Sequence, residues 1–301
     1  MAATHLPAFS FYEPLPRTYT SIIIKWTNSP AFTRVHSPPT QLRGEDFDGA
    51  DLLPWAQPHA AAVAGLDVQP DARAALTASA DGSLAVTQLD SDGGDCRRVW
   101  ACGGAVTHTA AKWAGAAGAA VTASLQGRVQ AWDTRSGGGG DTARGPLVAE
   151  LAATSGVPLM CLDVHPAQSY CVAAGDAEGR VHVWDMRRLP SGGGPSCGAG
   201  GSGGGSEVAV VAVGGGAALS ALAFDAGVAA TAATSAARLV YGTSGGEVGL
   251  IRDAAGGTAP QRLYAEPAAG VAALALGAVG PSSQLFAFTE QEGLVFIANA
   301  V

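Results

Sequence analysis

Five stretches of the chain pass through apolar runs and polar turns in the same order. Val63 to Leu89 reads VAGLDVQPDARAALTASADGSLAVTQL, Val106 to Trp132 reads VTHTAAKWAGAAGAAVTASLQGRVQAW, and Leu159 to Trp184 reads LMCLDVHPAQSYCVAAGDAEGRVHVW. Leu219 to Ile251 ends RLVYGTSGGEVGLI, and Val271 to Ile297 ends QLFAFTEQEGLVFI. Each unit opens with a short apolar strand and a polar turn, which holds proline in Gln69-Pro70 and His165-Pro166. A strand of small and β-branched residues follows. A tight turn ending in glycine (Gly82, Gly127, Gly179, Gly246, Gly293) then leads into an alternating third strand. In Arg180-Val181-His182-Val183-Trp184, the two valines share one face and His182 points to the other. Glycine belongs at the turn because a two-residue hairpin demands positive φ. The pattern predicts hairpins, not helices.

The turn glycines stand 45, 52, 67 and 47 residues apart. Two of these intervals approach the ~40–45 residues of a propeller blade. The longer two contain Gly137 to Gly140 and Ser191 to Ser206. The second tract is almost wholly Gly and Ser, and predicts a disordered loop insertion over residues 189–206. The whole chain, 1–301, reads as one domain with residues 1–17 as an N-terminal extension. Ser21-Ile22-Ile23-Ile24-Lys25-Trp26 predicts a strand, able to supply the outer strand of the last blade and close a ring. Five units plus this segment give six blades.

Composition changes how alanine is read. Lysine and asparagine are each present only twice (Lys25, Lys112; Asn28, Asn299), while Ala, Gly and Arg abound. That bias fits drift toward GC-rich codons, so alanine is no vote for helix here. A net charge of −8 argues against a nucleic-acid partner held by a basic face. The clustered acids Glu45, Asp46 and Asp48 read as a solvated loop. Five cysteines (Cys96, Cys102, Cys161, Cys171, Cys197) without a CxxC pair fit reduced thiols, not a disulfide framework or zinc site. No signal-peptide pattern opens the chain. The longest uncharged apolar stretch, Val208 to Phe224, is diluted by Gly214, Gly215 and Gly216, short of the ~20 apolar residues of a membrane helix. The reading is therefore a protein without membrane insertion.

Two units end alike, Trp132-Asp133-Thr134-Arg135 and Trp184-Asp185-Met186-Arg187, each tryptophan five residues beyond its turn glycine. A strand ending VxVWD after such a turn resembles the WD40 repeat, which implies a ring of four-stranded blades around a channel. Trp132, Asp133, Trp184 and Asp185 are then the structural residues of the repeat, with both tryptophans packed between blades. Other members of that family place a Gly-His pair before each blade, its His bonded to an Asp in the hairpin turn. None of the six histidines here follows glycine, and only Asp81 offers such an acid. The expectation is a degraded polar network and cohesion by apolar packing.

Residues 120–188 carry a narrower resemblance. AVTASLQGRVQAWDTR, a Gly-rich gap, and SGVPLMCLDVHPAQSYCVAAGDAEGRVHVWDMRR resemble the WD-repeat nucleoporins of the forty-three-kilodalton class, from the short arm of the Y-shaped outer-ring complex. Tyr12-Glu13-Pro14-Leu15-Pro16 echoes that family's Pro-Leu-Pro entry segment. The resemblance implies seven blades, a place in the nuclear pore, and docking onto an α-solenoid scaffold nucleoporin in support of mRNA and protein transport. It implies no enzyme activity, cofactor or small-molecule substrate. A rival resemblance rests on the WDxR endings. In propellers that serve as substrate receptors of cullin-type ubiquitin ligases, arginines placed like Arg135 and Arg187 bind the adaptor; the plainer role is pairing with the adjacent Asp.

Motifs for chemistry are thin. Gly194 to Gly198 satisfies GxSxG and Gly198 to Gly203 satisfies GxGxxG, yet neither has the strand and helix its chemistry needs. His165, ahead of Pro166, reads as a backbone cap, and the other histidines look isolated, without metal-ligand spacing. Met160 and Met186 read as core or blade-interface residues. Trp55, between Pro54 and Pro58, is the candidate exposed aromatic anchor for a partner.

Overall fold

A computed structural model of the chain describes residues 43–45, 52–54, 58–69, 71, 73–89, 96–99, 106–115, 118–135, 147–188, 207–225, 237–267, 269–279, 282–289 and 293–297. Residues 43–45, 52–54, 96–99, 277–279, 282–284, 293–294 and 296–297 are described by backbone alone. Among the described residues there is no α-helix. β1 (Arg43–Glu45) and β2 (Leu52–Pro54) pair as a small hairpin.

Four antiparallel meanders of four strands follow in chain order. Blade 1 holds β3 (Val63–Val68), β4 (Ala74–Ser79), β5 (Leu84–Gln88) and β6 (Cys96–Val99). Blade 2 holds β7 (His108–Trp113), β8 (Ala119–Ser124), β9 (Arg128–Asp133) and β10 (Leu147–Ala152). Blade 3 holds β11 (Leu159–Val164), β12 (Cys171–Asp176), β13 (Arg180–Asp185) and β14 (Glu207–Ala212). Blade 4 holds β15 (Leu219–Phe224), β16 (Leu239–Thr243), β17 (Glu247–Ile251) and β18 (Gln261–Ala265). β19 (Val271–Val279), β20 (Ser282–Thr289) and β21 (Gly293–Ile297) form a fifth sheet of three strands. The first strand of each sheet packs on the first strand of the next, from β3 through β7, β11 and β15 to β19. The chain is an all-β propeller.

The blade count differs from both expectations. The described residues form four complete blades and one of three strands, against the six read from the repeats and the seven the resemblance implies. The sixth rested on Ser21 to Trp26, a stretch without a glycine-turned hairpin of its own. That segment, like residues 1–17 and 189–206, lies outside the described residues.

The turn glycines hold their expected place in a different turn. Gly82, Gly127, Gly179 and Gly246 have φ of 80°, 70°, 77° and 79°. Each N–H donates to the carbonyl three residues back, on Ser79, Ser124, Asp176 and Thr243. Three residues separate the closing pair, so this is a turn with a left-handed glycine at its third loop place, not a two-residue hairpin. The residue that opens each turn carries a side-chain oxygen, and Ser79, Ser124, Asp176 and Thr243 use it to accept nearby backbone N–H groups.

The apolar core is divided among the joints between blades. Leu76, Ala78, Leu84 and Val86 of blade 1 meet Ala111, Trp113 and Trp132 of blade 2. Val121, Val129 and Leu151 of blade 2 meet Leu159, Leu162, Val172 and Trp184 of blade 3. Val181, Val183 and Val211 of blade 3 meet Leu219, Phe224, Leu239 and Ile251 of blade 4, and Val240, Val248 and Leu250 of blade 4 meet Val271, Leu285 and Ala287 of the fifth sheet. At roughly 1.5–3 kcal/mol per buried large apolar side chain, these joints hold the wheel. Trp132 and Trp184, each 1% exposed, sit in two of them as expected. Met186 also borders a joint, but Met160 does not: it is 40% exposed. The cause is a bulge near the start of the first strand of all five sheets, which leaves Ala64, Thr109, Met160, Ser220 and Ala272 outside the ladder.

Close approach at the joints demands small residues at one register place. Ala78, Ala123, Gly175 and Gly242 all stand opposite the third residue of the first strand. A Cβ on Gly175 would come within 2.5 Å of Leu219 Cβ, and one on Gly242 within 2.5 Å of Val271 Cγ1. In the fifth sheet the same place holds Phe288, paired with Ala273 and 44% exposed.

Candidate functional site

The two WDxR endings superpose by register. Asp133 and Asp185 close β9 and β13, and each accepts hydrogen bonds from an arginine two residues on. Arg135 donates Nε to Asp133 at 3.0 Å and its backbone N–H to the same oxygen at 3.1 Å. Arg187 donates Nε and Nη2 to the two Asp185 oxygens at 3.0 and 2.8 Å, and lies 3.7 Å over the Tyr170 ring. The Arg187 guanidinium beside Asp185 holds that carboxyl below its usual range, against the opposing effect of burial. Both arginines therefore cap their strand ends. Their side chains remain 68% and 61% exposed, so each offers a charged face outward.

A second constellation was not visible as a motif. His182, in the middle of β13, has no exposed side-chain surface. Its Nδ1 lies 2.5 Å from Glu207 Oε1 and its Nε2 lies 3.0 Å from Asp176 Oδ2. Ser155 Oγ stands 3.3 Å from Nε2, and the Trp184 ring stacks 5.8 Å away. Burial disfavours the imidazolium, but the hydrogen bonds to Glu207 and Asp176 outweigh it and raise the pKa above its usual value. Asp176 and Glu207 are held below their usual ranges, as bonds from His182 and from Arg180 or Thr154 overcome burial. Histidine 182 thus belongs to a carboxylate cluster, contrary to the reading of isolated histidines. The signal lay in the outer strand: Glu207 comes 25 residues later, past the Gly/Ser tract.

Serine, histidine and glutamate in this order invite comparison with a nucleophile, base and orienting acid. At Nε2 the Asp176 carboxylate, at 3.0 Å, is nearer than the Ser155 hydroxyl at 3.3 Å, so the two compete for the same nitrogen. With both carboxylates favouring the imidazolium, the protonated cluster is an ion pair.

Two further polar groups join blades. Lys112 Nζ of β7 lies 3.6 Å from Asp67 of β3 and 3.7 Å from Asp163 of β11, tying three blades together. The same two carboxylates cap the blade that follows each: Asp67 accepts from Trp113 N–H at 2.8 Å and Asp163 from Phe224 N–H at 2.7 Å. In blade 1, His59 bonds Ser83 Oγ and Thr77 Oγ1, each at 2.7 Å, and Ser83 in turn donates to Asp81. The expected loss of the histidine network is therefore not general. It survives in blade 1, where His59 follows Pro58 instead of glycine. His165 caps backbone as expected, its Nδ1 accepting from Ala167 and Gln168 N–H at 3.2 and 3.1 Å.

Cys161 and Cys171 are free, buried thiols, pushed by burial up to about 12 and about 11. Both are inert. Among the described residues no helix is long and apolar enough to cross a membrane, and no group of His, Cys, Asp or Glu is arranged to hold a metal ion. Trp55, the proposed anchor, lies outside the described residues.

No protein-family model matches the chain. No curated protein matches it either. Among the described residues, the polar side chains named above fasten strands and blades.

Proposed function

We propose that this propeller is a structural subunit of the nuclear pore's outer ring, where it holds other proteins instead of transforming a substrate. The observation that carries the reading is the face of the fifth sheet. Blades 1 to 4 present Ala or Gly where the next blade seats, whereas this sheet presents exposed Phe288 with Ala273 and Ala275 on the same strands' surface. A further blade of the same geometry would collide with that ring, so the face suits a foreign surface. The resemblance over residues 120–188 supplies the partner: the α-solenoid scaffold subunit of the Y-complex short arm. Affinity purification of the tagged chain tests this. Outer-ring nucleoporins co-purify and are lost on Phe288→Asp; their absence from the wild-type eluate contradicts the assignment.

A second reading is favoured by the arginines. Arg135 and Arg187 occupy one place on consecutive blades and expose their outer faces, an arrangement suited to a cullin adaptor. In the same eluates, an adaptor present with wild type and lost with Arg187→Ala supports a ligase substrate receptor.

A further inference from the structure

Blades 2 and 3 fasten their outer strands by different chemistry at equivalent places. In blade 2, Gln130 of β9 and Arg128 both donate to Glu150 of β10, the amide at 3.0 Å. Gln130 and His182 stand at the same register place, opposite Thr122 and Ala174 respectively. Blade 3 thus puts a titratable imidazole where blade 2 has an amide.

What His182 touches are three separate pieces of backbone. Asp176 opens the turn between β12 and β13 and also accepts Glu178 and Arg180 N–H at 2.9 Å each. Glu207 is the first residue of β14, directly after the Gly/Ser tract, and its other oxygen accepts Thr154 N–H at 3.3 Å. Thr154 and Ser155 belong to the link from β10 to β11. We infer that Asp176, His182 and Glu207 form a proton-operated latch that fastens β14 and the inter-blade link to the centre of blade 3.

The charged groups around the imidazole are few and of known sign. Asp176 faces it from the turn, with Arg180 bonded to that carboxylate at 2.7 Å and to Glu178 at 2.6 Å behind it; Glu207 faces it from β14. Ser155 and the Trp184 ring complete the surround without charge. A protonated His182 satisfies both carboxylates with its two N–H donors. Once neutral, it has one donor and one lone pair, and that lone pair must face a carboxylate. One of the two bonds then becomes repulsive. The latch holds below the imidazole's raised pKa and opens as pH rises through it. At the acid end it persists until Asp176 and Glu207 protonate, which their own lowered pKa values postpone. The outer strand of blade 2 has no imidazole at this place, since Gln130 and Arg128 bond Glu150 there instead.

Native-state hydrogen exchange on the full chain, read as protection factors for β14 and β10 between pH 6 and 9, tests the latch. Protection of β14 falls at least tenfold across the titration of His182 while that of β10 stays level. His182→Gln abolishes the pH dependence of β14. If that variant does not fold, Glu207→Gln and the NMR titration of the wild-type His182 ring decide instead: a midpoint above 6.5 and β14 loosened at pH 6 by E207Q support the latch. Parallel behaviour of β14 and β10, or a His182 midpoint at or below 6.5, overturns it.

Discussion

Trp184 repeats Trp132 one blade later, but without its hydrogen bond. Trp132 Nε1 donates to Thr122 Oγ1 at 2.9 Å, whereas Trp184 Nε1 is buried with no partner. The reason is the residue on the neighbouring strand: Ala174 stands at the register place of Thr122. A buried donor left unbonded costs about 1–3 kcal/mol, and blades 1 and 2 both accommodate threonine here, as Thr77 and Thr122. Ala174→Thr is expected to stabilise the fold by about 1 kcal/mol, seen as a higher denaturant midpoint at unchanged slope. A lower midpoint would mean that the joint has no room for the hydroxyl.

Gly175 seats Leu219 of the next blade, and its missing side chain is what allows the approach. Gly175→Ala is expected to cost about 1–3 kcal/mol by overpacking the joint between blades 3 and 4. Gly156→Ala is the informative control: unlike Gly175, which lies within a strand, that glycine has a left-handed backbone, φ 63°, and open space at its Cβ. The first change should lower the midpoint with a loss of packing at Leu219; the second should act through backbone strain alone.

Lys112 is one of two lysines in the chain and sits between two carboxylates. Burial opposes its charge, but Asp163 and Asp67 more than compensate and raise its pKa. Lys112→Met leaves Asp67 and Asp163 facing each other's charge across blade 2. The expected loss is about 2 kcal/mol, below the ~3–5 of a fully buried pair because the lysine side chain is one-third exposed. Thermal unfolding at 0.05 and 0.5 M salt checks it: the deficit should shrink at high salt as the two acids are screened.

His108 sets the acid limit. It is 1% exposed and edge-on to Trp132 at 6.1 Å, and burial lowers its pKa to about 4, with Gly82 and Asp81 opposing only in part. Above about pH 6.5 the ring is neutral in both folded and unfolded chains. Between 6.5 and about 4 only the unfolded chain takes the proton, so stability falls as pH falls through that window. The equivalent places in blades 3 and 4 hold Leu159 and Leu219. His108→Leu should keep stability at pH 7 and remove about one proton's worth of acid sensitivity, up to about 3 kcal/mol by pH 4. Unfolding free energies at pH 7, 5.5 and 4 give the comparison; identical slopes for both proteins would sink the assignment.

Much of the wheel was legible because its devices are local. A left-handed glycine leaves a mark at Gly82, Gly127, Gly179 and Gly246, and tryptophans at Trp132 and Trp184 mark a joint wide enough for an indole. The outer strands left no such mark: β14 follows a Gly/Ser tract and β18 carries exposed Gln261 and Arg262, so neither begins at a recognisable turn. Clusters that depend on them were hidden for the same reason, as with His182 and Glu207. Met160 was misread because a bulge turns it out of the alternation. His59 escaped because it follows Pro58 where the family pattern has glycine, although it bonds Ser83 and Thr77, and Ser83 in turn bonds Asp81.

Fluorescence imaging of the tagged full-length chain in intact cells tests the central proposal most directly. A punctate rim at the nuclear envelope, coincident with outer-ring nucleoporins, is the predicted result. Diffuse signal through the nucleoplasm or cytosol, unchanged when the outer ring is depleted, would contradict it.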